Sequence, residues 1–192
     1  MTHPPDLDLH YAPCWAHANS GVDLTRWAPR AAAAVWKATG QPHSRLDVER
    51  MTVMLEHLAG FAFGTGALGV FLLCPEPAGG PTAVLTLRAV SLDDGAGRDD
   101  LVADLMHPAG NQLVPPDSSE LTTPAGPVLR LRQRALDDET RAISDWLSYL
   151  WTFPTSAWVL SSSFPDLSVL DAWAETIDEL ARGVHLLPPD SG

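Results

Sequence analysis

The stretch 61-FAFGTGALGVFLLCP-75 constrains the fold more than any other, because the hydrophobic period changes across it. Upstream, Leu46, Met51, Met54, Leu55 and Leu58 form a helical stripe behind a candidate N-cap, Ser44. Downstream, 70–74 and 83–92 are short apolar runs of strand character, joined by 75-PEPAGGP-81. A helix followed by closely connected strands predicts an antiparallel sheet with helices packed on it.

Gly64, Gly66 and Gly69 also fall in the G-x-G-x-x-G spacing of dinucleotide-binding loops. That chemistry needs a strand before the first glycine and a helix N-terminus after the last, so that free N–H groups meet the pyrophosphate. Here the order is reversed. The glycines read as a helix-to-strand bend, and no cofactor is expected.

Along the rest of the chain, residues 1–20 read as an irregular N-terminal arm, 21–187 as one α+β domain and 188–192 as a disordered tail. A first helix is predicted over 27–39, with Pro29 in its first turn and Gly40 as its stop. A polar loop over 91–100, a short helix over 99–106 and a loop over 107–119 precede 127-PVLRLRQRAL-136. In that segment Leu129 and Leu131 alternate with Arg130, Arg132 and Arg134, the pattern of a strand with two unlike faces. Strands over 143–153 and 156–164 meet at Pro154-Thr155, a natural turn. A final helix has Asp166 as N-cap, the stripe Leu167, Leu170, Trp173, Ile177 and Leu180, and Gly183 at its end. The tryptophans add a constraint. With Trp146 and Trp158 read as facing opposite to Trp151, either helices cover both sheet faces or one aromatic face is open to a partner.

The chain carries 24 acidic against 12 basic residues, a net charge of −12. Such a surface repels phosphate backbones and anionic lipids, so neither nucleic acid nor membrane is expected as a partner. Two cysteines are too few for a disulfide scaffold, and MTHPPDLDLH lacks the basic and apolar regions of a signal peptide. A cytoplasmic location is the expectation.

Three groups of residues were candidates for chemistry. His10, Cys14 and His17, with His3 as a fourth, are ligand types that zinc accepts, but no regular element brings their spacing together. The other reading is an arm that docks Tyr11 and Trp15 on the core. Paired carboxylates at 93–94, 99–100 and 137–139 fall in loops and helix starts, where acids solvate the surface. The third group, Arg130, Arg132 and Arg134, places guanidinium groups roughly 6.5–7 Å apart on one strand face. Either Asp145 or Glu120 balances them on a solvated face, or the row docks an acidic peptide or small anion. On the docking reading, replacing all three by Ser abolishes partner capture and leaves the melting curve intact.

From Pro127 onward the pattern resembles a known layout. Gly126-Pro127 turns into the arginine-bearing strand, Trp146, Tyr149 and Trp151 mark the next, and 157-AWVLSSSFPDL-167 runs into the terminal helix. This is similar to a group of uncharacterised actinobacterial proteins of PsbP-like layout. The resemblance implies an α+β helix–sheet–helix sandwich and a binding or assembly role rather than catalysis, and it assigns no functional residue. The expected function is a non-catalytic protein-binding or assembly module acting through an exposed sheet face, with self-association compatible. The alternative is a ligand-binding or enzymatic domain with a pocket between the sheet and the first two helices.

Overall fold

A computed structural model describes residues 7–9, 12–92, 98–106, 111–136 and 140–186. The chain forms two compact units, one of residues 11–88 and one from residue 89 onward joined by the N-terminal residues. The expected tail over 188–192 lies outside the described residues.

The first unit contains β2 (Trp15–Asn19), α1 (Leu24–Thr39), α2 (Arg45–Gly64), β3 (Gly69–Leu73) and β4 (Ala83–Ser91), whose last residues run past the unit's end. β3 is the middle strand, antiparallel to β2 with Trp15 opposite Leu73, and to β4 with Val70 opposite Thr86. Residues 15–19, expected to be irregular, are therefore a strand. The ladder to the apolar β3 outweighs the weak local signal of WAHAN.

α1 begins three residues earlier than the apolar pattern predicts. Asp23 caps it, accepting from the Thr25 amide at 3.1 Å. Pro29 consequently stands in the second turn rather than the first. α2 starts on a reciprocal capping box, with the Ser44 amide 2.8 Å from Asp47 Oδ2 and the Asp47 amide 3.3 Å from Ser44 Oγ. Ala28 and Ala32 of α1 and Met51, Leu55, Ala59 and Ala62 of α2 close over Ala16, Ala18, Val70 and Leu72. Trp27 Nε1 donates to the His17 carbonyl at 2.7 Å and ties α1 to β2. The bend after α2 uses Gly66 at φ 86°, a left-handed conformation that suits glycine, and β3 begins at Gly69. The three glycines are thus a helix-to-strand connector.

In the second unit, β9 (Ser156–Phe164), β8 (Ile143–Thr152) and β7 (Gly126–Leu136) are successive antiparallel neighbours. Both β5 (Asn111–Gln112) and β6 (Asp117–Thr123) pair with β7. β6 was expected to be partly loop; DSSELTT has no apolar alternation because it lies along the rim of β7. β1 (Leu7–Leu9) pairs with β10 (Val184–Leu186), so part of the expected arm is a strand as well.

Two helices cover opposite faces of this second sheet. On α3 (Arg98–Leu105), Leu101, Val102 and Leu105 pack on Leu129, Leu150, Ala157 and Val159. α4 (Leu167–Arg182) is capped by Asp166, which accepts from the Ser168 amide at 3.0 Å, and lies on the Arg130–Tyr149 face. The unit is a helix–sheet–helix sandwich of the expected α+β class. Trp151 pairs directly with Trp158, so these two share a face, contrary to the alternation expected from sequence; Trp146 is on the other.

Candidate functional site

The arginine row is real, and its partners come from two directions. Arg130, Arg132 and Arg134 stand opposite Tyr149, Leu147 and Asp145 on β8, all on the face beneath α4. Arg130 Nε donates to Asp178 Oδ1 at 2.8 Å, with its side chain only 12% exposed and that of Asp178 13%. The Tyr149 hydroxyl donates to the same Asp178 oxygen. Arg132 Nη2 bridges Asp145 at 2.9 Å and Asp171 at 2.7 Å, while Arg134 holds Asp145 at 2.6 and 2.9 Å. Asp145 is the partner expected from sequence; Glu120 stands opposite Leu129, on the other face. Asp171 and Asp178, supplied by α4, are the members that strand reasoning missed.

Arg130 and Arg132 thus clamp α4 to the sheet, while Arg134 pairs within the sheet. Burial by itself raises the Asp145 carboxyl, but hydrogen bonds from Arg134 and Arg132 outweigh it and hold the group below the ordinary carboxylate range. Burial pushes the Tyr149 hydroxyl up, and its hydrogen bond to Asp178 adds to that, so the phenol remains a proton donor. Because the folded-state value of Asp145 is depressed, its contribution to stability is complete above the unfolded value of about 3.9 and disappears as pH falls through the folded one. Urea unfolding across a pH series should show stability declining below about pH 4. Asp145→Asn should flatten part of that decline and be less stable than wild type at neutral pH; an unchanged acid slope contradicts the assignment. A cleft of about 300 Å³ beside Arg132 and Arg134 is walled by Asp117 and Asp145 as well, so it offers an anion no excess of positive charge.

The metal candidates are not brought together. Cys14 lies in the turn before β2 and His17 within β2, no group of three ligand types comes together among the described residues, and His10 and His3 lie outside them. His17 stacks on Phe71 with ring centroids 4.5 Å apart. Burial lowers its pKa to about 4 against an Asn19 hydrogen bond that acts the other way, so the ring is neutral at pH 7.

The feature that sequence reading assigned to the core and the structure turns outward is on α2. The helix carries apolar residues all round. Its inner side buries Met51, Leu55, Ala59 and Ala62, whereas Leu46, placed in the inner stripe from sequence, is 61% exposed, Val53 66% and Phe61 71%. With Arg50 and His57 between them these residues recur every three or four positions, one continuous outer face. Two grooves flank its first half, and Glu49 and Val53 line both. One, of about 520 Å³, runs between α2, Trp36 of α1 and the 3-10 turn Pro77–Gly79. The other, of about 650 Å³, includes Pro29, His43 and Thr52.

Most of the charge around the first groove is already engaged within α2. Asp47 closes the capping box, and Glu49 accepts from Arg45 at 2.7 Å. Its apolar wall includes Met54, fixed by Gly80, whose φ of 84° and ψ of −172° only glycine adopts readily. A Cβ at Gly80 would lie 2.8 Å from Met54 Sδ. The outer face of α2 therefore carries three exposed apolar side chains, interleaved with Arg50 and His57, beside two grooves, and the only clear sequence signal for it is apolar residues on every side of one helix.

No protein-family model matches the chain, and no curated protein matches it. Solved structures similar to the chain include CyanoP and LpqN. CyanoP, the cyanobacterial PsbP of Synechocystis sp. PCC 6803, shares 15% identity over 64% of this chain and 75% of its own, with a TM-score of 0.41, too slight to add to the fold assignment. LpqN, involved in cell envelope biogenesis of Mycobacterium tuberculosis, shares 13% identity over 96% of this chain and 84% of its own, with a TM-score of 0.51. At that identity the likeness is one of fold, and the chain has the α+β fold of LpqN.

Proposed function

We propose that this chain is a non-catalytic protein-binding or assembly module that engages its partner through the outer face of α2. The observation that carries the reading is the exposed row Leu46, Val53 and Phe61 on a helix whose other side is core. Large apolar side chains grouped on one exposed face mark interaction surfaces. The sequence resemblance to PsbP-like binding modules supports the same reading. α2 is preferred to the strand face of Arg130, Arg132 and Arg134 because α4 lies over that face and carboxylates occupy the guanidinium groups.

Capture from the native host with tagged full-length protein tests this. Replacing Leu46, Val53 and Phe61 together by Ser should weaken capture at least about 30-fold, as expected when more than 2 kcal/mol of contact energy is lost. Its melting curve should stay close to wild type, since the three side chains are outside the core. Capture at wild-type strength by this variant would overturn the reading. The first groove also lies in the size range of small-molecule sites, about 300–1,000 Å³, which favours a second reading as an apolar-ligand site. In that case a bound ligand from the host should co-purify, and Trp36→Ala should release it.

A further inference from the structure

The only two cysteines of the chain are far apart in sequence and adjacent in the sheet. The β2–β3 ladder begins with Trp15 opposite Leu73, and Cys14 and Cys74 are the residues just beyond that pair. The Cys74 amide donates to the Cys14 carbonyl at 2.7 Å, so the two cysteines meet where the turn that holds Cys14 enters β2. A contact of this hydrogen-bonded kind sets Cα atoms about 5.5 Å apart, with Cβ atoms toward the far end of about 4.5–5.5 Å. A disulfide accepts Cα separations of about 4.4–6.8 Å and needs Cβ atoms about 3.5–4.5 Å apart, so an approach of about 1 Å suffices. Cys74 lies under α1 and α2, where it packs with Ala16, Ala18, Val70 and Leu72. Cys74 is fully buried, whereas Cys14, at the strand end, is half-exposed.

We propose that Cys14 and Cys74 are a redox-sensitive pair that closes to a cross-strand disulfide when a low-molecular-weight disulfide of the glutathione type is supplied. The half-exposed Cys14 reacts first. Its thiolate attacks the small disulfide, forming a mixed disulfide and expelling one small thiolate. The Cys74 thiolate then attacks Cys14 Sγ and expels the second. Two protein thiols are oxidised, one small disulfide is reduced to two thiols, and the two protein protons pass to the leaving thiolates. Burial pushes the Cys74 thiol up to about 12, and the nearby Cys14 thiol adds to it, so the second step is the slow one and accelerates with pH. The bond would close the whole α1–α2 hairpin into a covalent loop and fix the two strands that carry it.

The full-length protein incubated with oxidised glutathione, then quenched in acid and analysed without reductant, tests this. The expected product has lost two hydrogens, yields one cross-linked peptide containing Cys14 and Cys74, and melts roughly 10 °C higher until dithiothreitol reverses the gain. Cys74→Ser should instead retain one glutathione on Cys14 with no rise in melting temperature. Cys14→Ser should stay unmodified, because its remaining thiol is buried. Wild-type protein that retains both thiols, stops at a glutathione adduct or links only between chains would overturn the proposal.

Discussion

Asp178→Ala should lower the stability of the protein by about 3–5 kcal/mol, the cost of removing one partner from a buried charge pair. The residue faces Arg130 Nε at 2.8 Å, and both side chains are nearly enclosed. Its loss strands the Arg130 guanidinium, for which Asp117 at 3.8 Å is a distant and exposed substitute, and removes the acceptor of the Tyr149 hydroxyl. At this chain length the change corresponds to a fall in melting temperature of roughly 6–20 °C. Replacing the pair together, Arg130→Met with Asp178→Leu, should recover most of it, because an apolar pair of similar volume avoids the desolvation cost of both ions. Calorimetry of the single and double variants measures this directly. A single variant that melts within a degree of wild type would mean that α4 does not depend on the clamp. The same geometry predicts that Ser at all three arginines destabilises the second unit, and it replaces the sequence-based expectation of an intact melting curve.

Leu55→Ala should cost about 2–5 kcal/mol, whereas Val53→Ser, two residues away on the same helix, should stay within about 0.5 kcal/mol of wild type. Leu55 is completely buried between Met51, Ala59 and the β3 residues of the first core, so truncation removes apolar contact and leaves a cavity. Val53 is on the outer face and loses little on exposure to water it already meets. Denaturant unfolding of the two variants reads the difference. Comparable losses would show that the outer face of α2 packs against something in the free protein and is not a surface at all.

Elements with strong local signals were legible before the structure. α4 combines a capping Asp166 with a three-and-four stripe, the β8–β9 hairpin turns at Pro154-Thr155, and the 64–69 bend marks a change of period. Elements held by neighbours were not. WAHAN becomes a strand because β3 offers it a ladder, and DSSELTT because β7 does. The arginine row was read correctly as one face of β7, but which acids meet it depends on where α4 lands. Asp171 and Asp178 stand seven apart, each one residue after a member of the apolar stripe, and that border position is the available signal. On α2 the stripe rule failed in the opposite direction. A helix with apolar residues on every side gives no unique inward face, so Leu46 was assigned to the core and is exposed.

If the outer face of α2 meets a protein partner, a probe placed on that face in the cell must reach it. The most direct test places a photo-crosslinking phenylalanine analogue at position 53 in the full-length protein within its native host, with a second probe at Ser119 on β6 as comparison. One discrete light-dependent adduct is expected from position 53, absent when Leu46 and Phe61 are replaced by Ser, and none from position 119. An adduct from position 119 alone, with nothing at position 53, would contradict it.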